Sequence, residues 1–302
     1  MRKKIRAILG GVGAFFGVRR PQMSAANGQL PRVLGVTSFP VVTGLGETGR
    51  DIVLDLADAW HTAIQGMTRS GKSVLMYVLL VGLSAFDAVW IVGLDPTGVL
   101  LGPHRGAPGD EFRAIQTKSM EEHAGVITRL VAEMDRRIAA LLGAGADKVT
   151  EFSRDFPLMV VVIEEYPGLL AAATAEDQLR GRKPADRVAP RIQAGVRRLI
   201  QEGAKVGFRV VLLAQRMDAG IVGGAERSNL GNRITLRVDS ADAVRMLHPN
   251  SAAQWSERVS RFAPGHALID RPGAPTVRFR VDYLGYEEYV SRLRGRGGKE
   301  GE

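Results

Sequence analysis

Apolar residues along this chain gather into short unbroken runs, separated by longer stretches of helical period. Ala88-Val89-Trp90-Ile91-Val92-Gly93-Leu94, Leu158-Met159-Val160-Val161-Val162-Ile163 and Val210-Val211-Leu212-Leu213-Ala214 carry no charge. Runs of this length predict strands buried on both faces, as in a parallel sheet covered by helices. Trp60-His61-Thr62-Ala63-Ile64-Gln65 is expected to be a shorter buried strand, and Arg233-Ile234-Thr235-Leu236-Arg237-Val238 another. Residues 74–84 read as an apolar helix. Residues 120–142 read as an amphipathic one through Val126, Leu130, Ala132, Met134 and Ile138. Upstream, residues 33–58 alternate and contain Gly44, Gly46 and Gly49, which predicts two or three hairpin strands. Downstream, residues 266–270 and 276–283 read as closing strands. The whole predicts an α/β fold, a mostly parallel sheet flanked by helices with a small N-terminal β element.

The same pattern divides the chain. Residues 1–30 are expected to be a basic tail and linker, punctuated by Pro21, Asn27 and Gly28. Residues 31–59 hold the β element, 60–285 the main domain, and 286–302 a polar C-terminal tail.

Between the strand at 60–65 and the helix from 74 lies Gly66-Met67-Thr68-Arg69-Ser70-Gly71-Lys72-Ser73, a G-x-x-x-x-G-K-S sequence. Each fixed position has a physical task. Gly66 and Gly71 let the backbone curl until several N–H groups face one phosphate chain. Lys72 reaches the β- and γ-phosphates, and the Ser73 hydroxyl is placed to ligate Mg²⁺. The helix N-terminus adds its positive pole. The candidate nucleotide-binding stretch runs from Gly66 through Val74.

The strand at 158–163 ends in Glu164-Glu165. Paired acids at the end of an apolar strand are what such a phosphate loop needs opposite it. One supports the metal and the second activates the attacking water. The strand at 210–214 ends in Gln215-Arg216, which places a polar group to sense the γ-phosphate. Arg233 and Arg237 on the next strand are candidates for an arginine supplied to a neighbouring subunit.

Composition narrows the partners. With 302 residues, 45% of them hydrophobic, the chain can bury one large α/β core. It has no cysteine, which excludes disulfides and thiolate metal sites, and its five histidines lack metal-ligand spacing. The net charge of +9 favours a polyanionic partner such as nucleic acid or an anionic membrane surface. Part of the excess crowds residues 180–198, and residues 180–187 are a candidate DNA or subunit contact. No apolar segment reaches the roughly 20 residues a spanning helix needs. Residues 7–18, with Phe15 and Phe16 between basic flanks, are a candidate for lying on a membrane surface.

These motifs together resemble the motor domain of the FtsK/SpoIIIE DNA translocases, and among them the short actinobacterial plasmid-transfer and phage-encoded members. His61 through Ser73 is similar to the family's phosphate-loop segment, and Leu94-Asp95-Pro96-Thr97-Gly98 resembles its strand end "IDPK". Val131-Ala132-Glu133-Met134-Asp135-Arg136-Arg137 resembles "LVxEMxRR", and Val162-Ile163-Glu164-Glu165 resembles "VDE". Residues 204–216 resemble "ARAxGxHLVLATQRP", and Asn232 to Val238 resembles "SRIAFRV". The resemblance spans about residues 35–285. It implies a RecA-like P-loop core, a ring, usually hexameric, on double-stranded DNA, and ATP hydrolysis at sites shared between subunits. It also implies Lys72 and Ser73 on phosphate and Mg²⁺, Glu164 supporting the metal, Glu165 as general base, Gln215 as sensor and Arg233 as the finger. Two positions depart from the family: Arg69 stands where it often has Gly, and Glu164 where it has Asp.

The expectation is therefore an ATP-driven double-stranded DNA translocase for conjugative, mobile-element or phage DNA. It would be cytoplasmic, with the N-terminal segment a candidate contact at the inner face of the plasma membrane. The alternative is a secretion-type ATPase of the same superfamily moving a protein cargo. A nucleotide-binding partner that does not hydrolyse ranks last, because both acids and Lys72 are present.

Overall fold

The computed structural model describes residues 35–117, 119–217 and 223–297. The basic N-terminal tail, the candidate membrane segment and the last five residues lie outside them. The chain opens with a hairpin, β1 (Pro40–Gly46) and β2 (Asp51–Asp55), then β3 (Thr62–Gln65) and α1 (Lys72–Leu83). Next come β4 (Val89–Asp95), β5 (Arg113–Ile115), α2 (Met120–Gly143), β6 (Leu158–Ile163), α3 (Tyr166–Leu179) and α4 (Val188–Glu202). Then follow β7 (Phe208–Ala214), α5 (Gly224–Asn229), β8 (Asn232–Thr235), α6 (Ala241–Leu247) and α7 (Ala252–Ser260). The described chain ends with β9 (His266–Asp270), β10 (Val277–Val281) and α8 (Tyr286–Gly297).

All ten strands form one sheet in the order β2-β1-β10-β9-β8-β3-β7-β6-β4-β5. From β8 to β5 the pairing is parallel, and the other neighbours pair antiparallel. The β element expected over 31–59 is thus the edge of the main sheet, joined through β10, rather than a separate layer. Each central strand splits its side chains between two cores. Ile64, Val160, Val162, Val211 and Leu213 pack with α1 and α8, while Ala63, Val161, Ile163, Val210 and Leu212 pack with α2, α3 and α4. That two-sided burial is why these strands carry no charge-bearing face. Gly93, inside β4, has φ 127°, and a Cβ there would run into the Val162 carbonyl of β6, so the strand requires glycine.

Two parts of the polar surface turn out to be structural. Residues 286–297, expected within a polar tail, form α8. Its Tyr289 is fully buried, stacks on Tyr77 of α1 with centroids 4.6 Å apart, and donates its hydroxyl to the Leu100 carbonyl. In the basic stretch, Arg182 pairs with Asp177 at 2.9 Å and Glu176 at 3.0 Å, and Arg180 with Glu176 at 3.1 Å. The buried Asp177 also accepts from the amides of Val188 and Ala189, which pins the α3–α4 connection. Lys183 and Arg187, exposed at its tip, have no ion-pair partner among the described residues.

Candidate nucleotide site

Parallel strands deliver their C-terminal ends to one edge of the sheet, where α/β proteins bind ligands. Five of these ends carry chemistry. β3 runs into Gly66, β4 ends at Asp95, β6 precedes Glu164-Glu165, β7 precedes Gln215, and β8 leads to Arg237. Residues far apart in sequence are brought together because β3, β7, β6 and β4 are adjacent.

The phosphate loop is shaped for an anion. Gly71 caps α1 from the left-handed region at φ 104°, and a Cβ on it would lie 2.8 Å from the Gly265 amide. The Ser70 hydroxyl and the Arg237 Nε are buried with no hydrogen-bond partner. Unpartnered buried polar atoms are costly, so their presence beside the loop fits a phosphate ligand. Arg69 is left-handed at φ 64°, which accounts for the glycine common at that position in the resembled family. Relief of this strain predicts that Arg69→Gly raises stability by about 1 kcal/mol. Thermal denaturation checks it, and a lower melting temperature would contradict the strain.

Opposite the loop, Lys72 Nζ lies 3.0 Å from Glu165 Oε2. Glu165 Oε1 accepts the backbone N–H of Gln215 at 3.2 Å. Glu165 is itself left-handed, at φ 44°. One carboxylate thus spans the phosphate loop and the end of β7. Among the described non-glycine residues only Arg69, Gln116 and Glu165 have positive φ, and all three follow C-terminal ends of parallel strands. Such strain survives where surrounding structure imposes it, commonly at working sites.

Beside this pair Glu164 joins an acid to which the sequence assigns no role, Asp95. Asp95 is fully buried and accepts from the amides of Thr97, Gly98, Leu100 and Leu101 at 2.7–3.1 Å. The Thr97 hydroxyl lies 3.0 Å from Asp95 Oδ1 and 2.7 Å from Glu164 Oε2. The Thr97 hydroxyl thus bridges the two carboxyl groups. Burial, with the adjacent Asp95 carboxyl, pushes Glu164 up to about 8. Burial would also raise Asp95, but the hydrogen bonds it accepts outweigh that and hold it below the usual range. Glu164 and the exposed Ser73 hydroxyl are the oxygen donors that could hold Mg²⁺ at this edge. The signal for Asp95 was present in sequence, as an acid closing an apolar strand ahead of a Pro-Thr-Gly turn.

The guanidinium of Arg233, the expected finger, donates within its own chain to the carbonyls of Leu230, Arg227 and Leu247 at 2.9, 3.0 and 3.3 Å. Arg237, in contrast, sits at the loop, its carbonyl accepting the Met67 amide at 2.9 Å. Met67, Thr68 and Arg69 are exposed at the loop's mouth, while Val74 packs into the α1-side core.

Comparison with known proteins agrees with this layout. The profile of the FtsK/SpoIIIE family matches residues 31–272. The chain is 28% identical over 234 residues to DNA translocase FtsK of Chlorobaculum tepidum, a match covering 72% of this chain and 27% of that protein. Among solved structures it resembles the pCW3 conjugation coupling protein TcpA in its monomer form with ATPγS. The TM-score is 0.66 at 24% identity, covering 85% of this chain and 70% of that one. It also resembles the cytoplasmic domain of the Thermomonospora curvata Type VII secretion ATPase EccC, with a TM-score of 0.60 at 21% identity, over 85% of this chain and 31% of that one. These two likenesses establish the shared α/β fold.

Proposed function

The chain belongs to the FtsK/SpoIIIE family, and from that premise we propose that it is an ATP-driven translocase of double-stranded DNA. The observation that carries this reading is the convergence of Lys72, Glu165 and Gln215 at one point of the sheet edge. The chain spans about a quarter of the length of the FtsK relative described above, so the activity is assigned from this site and not from the relative as a whole.

The phosphates of ATP lie along the loop from Gly66 to Val74, held by its amides, Lys72 and Ser73. Ser73 and Glu164 would hold Mg²⁺, which would neutralise phosphate charge when bound. Lys72 exchanges its partner Glu165 for the phosphate chain. Glu165, released from Lys72 and steadied by the Gln215 amide, accepts a proton from the attacking water. Because Gln215 touches the general base directly, loss of the γ-phosphate is felt at the end of β7.

The net charge of +9 and the Lys183–Arg187 tip support a DNA backbone partner, contacted through salt-sensitive electrostatics. Subunits are proposed to form a ring, usually hexameric in this family, with sites shared between neighbours. Arg233 is the candidate for the arginine shared with a neighbour, as the resemblance implies. Among the described residues no helix is long and apolar enough to cross a membrane. A protein-cargo motor is the second reading, but the likeness to the secretion ATPase EccC is one of fold and adds no weight for cargo.

Displacement of a third strand from a triplex-bearing duplex tests the proposal. ATP-dependent displacement by the wild type, absent in Lys72→Ala, is expected. ATP turnover without displacement would contradict translocation.

A further inference from the structure

Gln65, the last residue of β3, directly precedes Gly66 and is fully buried. A buried carboxamide must find partners for both ends. Its Nε2 donates to Thr235 Oγ1 of β8 at 3.0 Å and to the Ala243 carbonyl of α6 at 2.8 Å. Its Oε1 accepts the Met217 amide, two residues beyond Gln215, at 3.1 Å. One side chain thus joins the root of the phosphate loop, the segment past the sensor, and α6.

The network continues inward. Thr235 Oγ1 lies 2.7 Å from His248 Nε2. The other ring nitrogen of His248 is Nδ1. That nitrogen faces the Asp270 carboxylate at 3.7 Å. Two further contacts bind the same region to the loop. The Met67 amide donates to the Arg237 carbonyl at 2.9 Å, and the Gly265 amide to the Ser70 carbonyl at 2.8 Å. Residues 237–265 therefore grip the phosphate loop at its root, its start and its middle.

Between those grips the segment has a core of its own. Val238, Ala243, Val244, Trp255, Val259 and Phe262, with Leu268 of β9, form a cluster distinct from the two that flank the sheet. A unit with its own small core, hydrogen-bonded to the loop at several points, moves as one piece when the loop rearranges.

We propose that residues 238–265 are a nucleotide-responsive unit and that Gln65 is the positioning residue coupling it to the phosphate loop. The proposal rests on the nucleotide reading above. It assigns Gln65 no contact with the reacting atoms. Its effect passes through Ala243 on one side and Met217 on the other.

Hydrogen exchange of residues 238–265 in the full chain, with Mg²⁺ and either ADP or ATPγS, tests it. In the wild type the exchange rates of α6 and α7 are expected to differ by about threefold or more between the two nucleotides. In Gln65→Leu, and independently in Thr235→Val, that difference is expected to vanish while affinity for both nucleotides stays within about threefold. Thr235→Val keeps the test available if Gln65→Leu fails to fold. A merely structural network would raise exchange alike in both nucleotide states and preserve the difference, which overturns the coupling. So would wild-type exchange that ignores which nucleotide is bound. A wild type that binds neither nucleotide overturns the nucleotide reading, and the coupling with it.

Discussion

Glu165→Gln is expected to lower ATP turnover by roughly 10²–10⁴-fold while nucleotide binding persists. The carboxamide keeps the size of the side chain and an oxygen for the Gln215 amide, but it cannot take a proton from water. It also ends the ion pair with Lys72, whose side chains are 17% and 34% exposed. A pair that open to solvent contributes at most about 1 kcal/mol. ATP affinity is therefore expected to rise by no more than about fivefold, since Lys72 no longer has a carboxylate to leave. Turnover and equilibrium binding, measured side by side, check both halves. Substantial turnover in the variant would remove Glu165 from the chemistry. Loss of binding would make it a structural residue.

Asp95→Asn is expected to cost about 3–5 kcal/mol of stability, a fall in melting temperature on the order of 10 °C. Oδ1 accepts from Thr97 and Gly98, and Oδ2 from Leu100 and Leu101. Whichever way an asparagine turns, its NH₂ confronts two backbone donors in a fully buried site. The damage reaches the reaction as well, because Thr97 holds Glu164 through the same turn. Thermal denaturation and ATP turnover are expected to fall together. A variant as stable as the wild type would show that the four amides have other acceptors.

The strands and the phosphate loop were legible because their signals are local. The runs at 158–163 and 266–270 match β6 and β9 residue for residue: the first is wholly apolar, and the second has an apolar Ala267-Leu268-Ile269 centre between turn residues Gly265 and Pro272. β5 was missed because three residues at a sheet edge show no period. α4 was read only as part of a basic stretch, since Arg191, Arg197 and Arg198 obscure its buried stripe of Val188, Ile192, Val196 and Leu199. That signal was present. α8 was hidden more deeply, because its polar composition says nothing of Tyr289 stacking on Tyr77. The partners of Gln65 lie 152–178 positions away, which only the strand order reveals. The motif residues could be placed from sequence, whereas the groups that hold them in place could not.

ATP hydrolysis at Lys72 and Glu165 is expected to be driven by double-stranded DNA. The most direct measurement is steady-state ATP turnover with and without long duplex DNA at two salt concentrations, with Lys72→Ala as control. Strong stimulation by DNA, weakened at the higher salt and absent in the variant, is the predicted result. ATP turnover that ignores DNA at both salts would contradict the claim and shift the assignment to a protein-cargo motor.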